Sequence, residues 1–129
     1  MDAQEVMSHV LAAQRDWLAA VRAKNINALL KRVTDDIVVI HSNGRTVRGI
    51  DELRADFERF FEQFDLEQSA VVEETVITGE WAFDIRTVSS ELIPVTGGDP
   101  KRIDSKVLTL LRQRGREWQI ARVMSVLVP

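Results

Sequence analysis

The sequence predicts an α+β fold: three helices packed on a strongly curved, mainly antiparallel sheet. Two observations carry this. Up to Phe64, three stretches place apolar residues at helical spacing, and beyond Leu66 the apolar period switches to two. A third concerns connectivity: the period-two stretches are joined by short turns, which implies strands running back and forth as an antiparallel meander. The 129 residues suit one domain, 1–129, with one hydrophobic core.

The first helix is read from Val6, Met7, Val10, Leu11, Trp17, Leu18 and Val21, which fall on one stripe; His9 lies on the opposite, solvated side. Trp17 sits at the flank of the stripe, where a large ring can border a cavity. Asn25 is placed to stop this helix and cap the next, whose shorter stripe is Ile26, Leu29, Leu30 and Val33. Thr34-Asp35-Asp36 is read as a break. Ile37 to Ser42 follows as a strand, and Asn43-Gly44 as a tight turn. Gly49 marks the next boundary and Asp51 is the expected N-cap of a third helix. That helix carries the clearest periodicity of the chain, Leu53, Phe57, Phe60, Phe61 and Phe64. Four strands then run over 68–78, 81–95, 101–112 and 117–128, with turns at Gly79-Glu80, Thr96 to Pro100 and Gln113 to Arg116.

Composition excludes several classes. There is no cysteine, hence no disulfide and no thiolate metal site, which suits a reducing compartment. The first 24 residues are charged throughout, unlike a secretory signal, and no apolar run approaches the ~20 residues of a membrane span. A cytoplasmic location is expected. The net charge of −3 argues against general nucleic-acid binding, and Arg112, Arg114 and Arg116 read as solvated charges. No metal-ligand spacing, phosphate loop or nucleophile elbow is present, so no cofactor is expected.

The last two strands are apolar on both faces. Val107 to Leu111 is interrupted only by Thr109. In the final strand Trp118, Ile120, Met124 and Val126 are read on one face, and Ala121, Val123 and Leu127 on the other. Helices cover only one face of a sheet. The other needs a cover too, and a second copy of the chain is expected there, giving a homodimer through the outer sheet face.

The segment WLAAVRAKNINALLKRVTDDIVVIHSNG, followed by RGIDELRADFERFFEQF and the ending REWQIARVMSV, resembles the nuclear transport factor 2-like superfamily, in particular its SnoaL-like branch. The resemblance covers nearly the whole chain. It implies a cone: a bent sheet curls around the first helix and leaves an internal pocket at the open end. Members of that superfamily include ketosteroid isomerases, polyketide cyclases, scytalone dehydratase, limonene epoxide hydrolase and non-catalytic binding or assembly domains. The fold alone therefore fixes no chemistry.

The resemblance singles out His41. Counted from Trp17, it falls where ketosteroid isomerase has its proton-abstracting Asp, with Trp17 at the place of the oxyanion-binding Tyr. An imidazole that titrates near neutrality can remove a proton and return it. The alternative is a strand-end His bonded to a neighbouring backbone group. Trp17 offers only an indole N–H, and the isomerase's second oxyanion donor maps near Lys106 or Leu108, so that mechanism does not transfer intact. Lys106 is either an oxyanion-binding point charge or a solvated side chain. Asp84 and Arg86 share a strand face, in the reverse order of the pair that limonene epoxide hydrolase uses. The apolar set Trp81, Phe83 and Ile85 alternates with them and is expected to face the pocket, leaving Asp84 and Arg86 outside.

The expected pocket wall is Trp17, Val39, His41, Phe57, Phe61, Trp81, Phe83, Ile85, Ala121, Val123 and Ser125, with Lys106 as a further candidate. Such a wall suits a small, largely hydrophobic molecule. The readings left open are a cofactor-independent isomerase, cyclase or dehydratase with His41 as the acid/base group, a ligand-binding module without catalysis, and a dimerisation domain.

Overall fold

The computed structural model describes residues 2–129. Among them are three helices and one six-stranded sheet: α1 (Ala3–Arg22), α2 (Ile26–Lys31), β1 (Val33–Ile40), β2 (Thr46–Arg48), α3 (Gly49–Gln63), β3 (Phe64–Thr78), β4 (Trp81–Pro94), β5 (Lys101–Arg114) and β6 (Glu117–Leu127). The strand order is β2-β1-β6-β5-β4-β3. The four long strands form the expected antiparallel meander, and β1 pairs with β6 in parallel. The helices pack on one face of the sheet.

Local chemistry explains the helix limits. Asp2 caps α1 by accepting from the Glu5 N–H at 2.9 Å. At the other end Lys24 takes φ +55°, so the chain turns sharply and the Asn25 N–H reaches the Ala20 carbonyl at 2.9 Å. The Asn25 side chain then accepts from the Ala28 N–H and starts α2. Three boundaries differ from the sequence reading. Thr34, Asp35 and Asp36 are strand residues of β1, in the irregular stretch between its pairs Val33–Ile120 and Val38–Arg122, where Arg112 and Arg122 donate to the Asp36 carboxylate and carbonyl. The residue preceding α3 is Arg48, not Asp51, which lies in the first turn among its free N–H groups. β3 begins at Phe64, before the alternation becomes visible.

Val10 and Ala13 of α1, Val33 and Ile37 of β1, Leu53 of α3, Ala82 of β4, Leu111 of β5, and Trp118 and Ile120 of β6 form the main core. A second cluster joins Ala20, Val21, Leu29 and Phe61. Leu11, read on the apolar stripe, is 39% exposed, and Gln14 is buried on that stripe instead.

A β-bulge in β6 decides which residues face the helices. Leu111 pairs with Ile120 but Leu110 pairs with Arg122, so Ala121 is the extra residue. The bulge inverts the alternation. Trp118 and Ile120 point into the core, whereas Met124 and Val126 stand on the outer face, 44% and 56% exposed. The four therefore do not share one face. Ala121 is fully buried at the bulge.

Trp118 is 1% exposed and belongs to the main core. Trp118→Ala should lose about 3–5 kcal/mol of stability, measured by urea denaturation. A loss below about 1 kcal/mol would contradict this placement.

Candidate active site

Two hollows lie between the helices and the sheet. The inner one, of about 150 Å³, is lined from α1 by Gln14, Trp17 and Leu18 and from the sheet by Gln68, Ala70, Arg86, Val88, Ser105, Val107, Thr109, Ile120, Val123 and Ser125. The outer one, of about 490 Å³, is lined by His41, Arg45, Asp56, Phe57, Arg59, Phe60, Gln63, Phe64, Leu66, Gln68, Ser90, Leu92 and Ile103. Gln68 borders both. Trp17 of the inner hollow meets Phe57 of the outer one edge-on, with ring centroids 5.7 Å apart, and Phe57 stacks on Phe61 at 5.5 Å.

His41 sits just past the end of β1. Its backbone closes the following turn: its N–H donates to the Arg45 carbonyl at 2.9 Å and its carbonyl accepts from the Gly44 N–H at 2.8 Å. Gly44, with φ +86°, adopts the left-handed conformation this turn requires. The His41 side chain, 37% exposed, places Nε2 3.0 Å from Asp56 Oδ2 on α3. Asp56 is 13% exposed, and its other oxygen takes the Arg45 guanidinium at 2.8 Å, with Arg59 3.7 Å away. If Nε2 carries the proton donated to the carboxylate, Nδ1 keeps the lone pair. This histidine is tied to a carboxylate, not to a backbone group.

The strand β4 reverses the expected orientation. Asp84 is fully buried, Arg86 is 8% exposed, and both face α1. Gln14 Nε2 donates to Asp84 Oδ2 at 2.9 Å, and Arg86 Nε donates to the same oxygen at 3.2 Å. Asp84 Oδ1 has no partner among the described residues. Trp81, Phe83 and Ile85 consequently occupy the outer face. Trp81 is 40% exposed, beneath the Arg112 guanidinium at 5.5 Å. Polar groups take the inside here because an apolar outer face is continued by Leu108 and Leu110 opposite Ile85 and Phe83.

Lys106 also lies outside. It pairs across the sheet with Thr87 and donates to Glu73 at 2.7 Å, a contact that holds the Glu73 carboxyl below the usual carboxylate range, with Thr87 assisting. Leu108, two residues on, faces the same way. Val39 packs against the main core and Phe61 belongs to the second cluster; with buried Ala121, neither borders a hollow. Thus Trp17, Val123 and Ser125 line the inner hollow, and His41 and Phe57 the outer one. Sequence reasoning missed Asp56, Gln14, Gln68, Ser105 and Thr109. Gln14 carried a signal, being a polar residue four positions from Val10 and three from Trp17 on the apolar stripe.

Among the described residues no group of three or more His, Cys, Asp or Glu is placed to hold a metal ion, and no helix is long and apolar enough to cross a membrane.

The SnoaL-like domain model matches residues 14–127, and the chain belongs to that family. Among solved structures, a conserved protein from Planctomyces limnophilus superimposes with a TM-score of 0.88 at 27% identity, covering 95% of this chain and 96% of that one. A ketosteroid isomerase-like protein from Erwinia carotovora atroseptica gives 0.84 at 25% identity, covering 95% of each. A type-3 hexachlorocyclohexane dehydrochlorinase from Novosphingobium barchaimii gives 0.83 at 12% identity, covering 95% and 86%, a likeness of fold alone. No curated protein matches the sequence. The fold is thus the cone expected from the sequence, a SnoaL-like domain containing a pocket.

Burial pushes the Asp84 carboxyl up from its usual value, while the Arg86 charge and the Gln14 donor pull the other way. The folded chain therefore holds this proton more tightly than the unfolded chain does. Stability linked to Asp84 is fully present below the unfolded value, near pH 4, and is lost as pH rises through the higher folded value. Urea denaturation from pH 4 to 7 should show wild type losing stability relative to Asp84→Asn as pH rises. A constant or opposite difference would refute this.

Proposed function

We propose that this domain binds a small, largely apolar carbonyl compound and catalyses a cofactor-independent proton transfer on it, an isomerisation, cyclisation or dehydration. The observation that carries this reading is the His41–Asp56 contact, 3.0 Å long, on the wall of a hollow whose apolar part is Phe57, Phe60, Phe64, Leu66, Leu92 and Ile103. A carboxylate that accepts from one imidazole nitrogen fixes the ring and its tautomer and stabilises the imidazolium formed when the other nitrogen takes a proton. Arg45 holds that carboxylate in place from its other oxygen. The imidazolium then returns the proton to a different atom of the ligand, which completes an isomerisation or assists loss of water. The aromatic wall favours a neutral or weakly acidic, flat molecule. The ketosteroid isomerase-like relative, at 25% identity, supports the same class of chemistry. The cysteine-free composition supports a cytoplasmic setting.

The test begins with a thermal-shift screen of steroids, naphthols and polyketide-like ketones, followed by turnover assays on those that stabilise the protein. His41→Gln should keep binding and fold, yet lower turnover about 10²- to 10⁴-fold. Full turnover in this variant would remove His41 from the chemistry. Binding without turnover in wild type would instead identify a ligand-binding module.

A homodimer belongs to the same proposal. The outward set Phe83, Ile85, Leu108, Leu110, Met124 and Val126 forms an apolar surface on the side without helices. A second copy covering it would hide about 800 Å² per partner. Light scattering at micromolar concentration should give twice the monomer mass, and Met124→Glu should shift it to monomer. A monomeric wild type, or an unchanged assembly in the variant, would overturn the dimer.

A further inference from the structure

The inner hollow contains a charged group for which the chemistry proposed above has no use. Arg86 has a side chain 91% removed from solvent, anchored through Nε to Asp84. Its two terminal nitrogens have no hydrogen-bond partner among the described residues. Unlike Asp84 Oδ1, they are not sealed in protein. Arg86 lines the inner hollow, whereas Asp84 does not. An occupant therefore meets the free fork of the guanidinium, with the carboxylate behind it.

The neighbours extend this polar end. Ser105 and Thr109 are 9% and 3% exposed, and their hydroxyls also lack protein partners without being sealed. Ser125 lies in the same cross-strand row as Arg86, through Val107. Opposite them stand Trp17 and Leu18 of α1, while Val123 lies beside Thr109 in the sheet. A buried guanidinium with an open fork and flanking hydroxyls matches a planar anion with two equivalent oxygens. An apolar wall matches the body that carries it.

We propose that the inner hollow is a carboxylate subsite, in which Arg86 grips the acid group of a small apolar or aromatic carboxylic acid through its two terminal nitrogens while Ser105, Thr109 and Ser125 supply further donors. At about 150 Å³ it has the size of a cavity that accepts one benzene ring. Larger ligands extend past Gln68 into the outer hollow, toward His41. This names a substrate class for the site described above and rests on that reading only for the claim that the occupant is turned over.

The experiment is an NMR titration of the full chain with benzoate and with its neutral analogue benzamide. Benzoate should bind saturably, perturb the backbone amides of Val88, Val107 and Thr109, and bind at least about tenfold tighter than benzamide, the margin of one charged hydrogen bond. Arg86→Lys keeps the charge beside Asp84 but loses the fork, and should weaken benzoate by about tenfold. Equal binding of the two probes, perturbations confined to other residues, or a folded Arg86→Lys with wild-type benzoate affinity would each overturn the proposal. If Arg86→Lys does not fold, the comparison of the two probes on wild type decides alone. His41→Gln should bind benzoate as wild type does, so a failure of the proposed catalysis leaves this result intact.

Discussion

The arrangement of the pocket depends on how one buried carboxylate is satisfied. Asp84 lies on the inner face of β4, without access to water, and such a group must be paired or protonated. Its partners are Gln14 from α1 and Arg86 from its own strand. The first ties the long helix to the sheet across 70 positions of sequence. The second holds a guanidinium away from solvent. A hydrophobic replacement could pack the same space, yet it would fix neither the seating of α1 nor the direction of Arg86.

Much of the architecture was legible in the sequence. The phenylalanines of α3, the Asn25 cap and the change to a period of two locate elements because each reflects a local backbone requirement. The phase of the alternation is another matter. In β4 the reading put Trp81, Phe83 and Ile85 inside on the ground that apolar residues face a core. Both faces of this sheet carry apolar residues, so hydrophobicity alone could not tell inner from outer. In β6 the bulge at Ala121 inverted the phase midway, and nothing in WQIARVMSV marks it. The candidate site suffered accordingly: Trp17, Val123 and Ser125 were placed on the wall, but Arg86, Ser105 and Thr109 were not. Asp56 escaped notice because its contact with His41 joins a strand end to a helix, a proximity no periodicity encodes.

The two hollows differ in their chemistry. The outer one sets three phenylalanines and three aliphatic side chains beside the charges gathered around Asp56; the inner one mixes a single guanidinium with hydroxyls and apolar side chains. The edge-on contact of Trp17 with Phe57 stands where they meet, and both rings are packed against a cluster from α1, α2 and α3. A molecule that spans both must be elongated, with its polar functions at separate ends.

The turn after β1 bears on how such a domain diversifies. His41 and Arg45 flank that turn, are bonded to each other through the backbone, and grip opposite oxygens of Asp56. The three residues fall within one short run of chain, His41 and Asp56 being fifteen positions apart. The inner hollow is built from α1 and from strands β3 to β6. In the proposed function, acid–base geometry and ligand recognition are thus encoded in separate stretches of the chain. Substitutions in the long strands can reshape the inner hollow while His41, Arg45 and Asp56 stay in register, so one scaffold can change its pocket without rebuilding this triad.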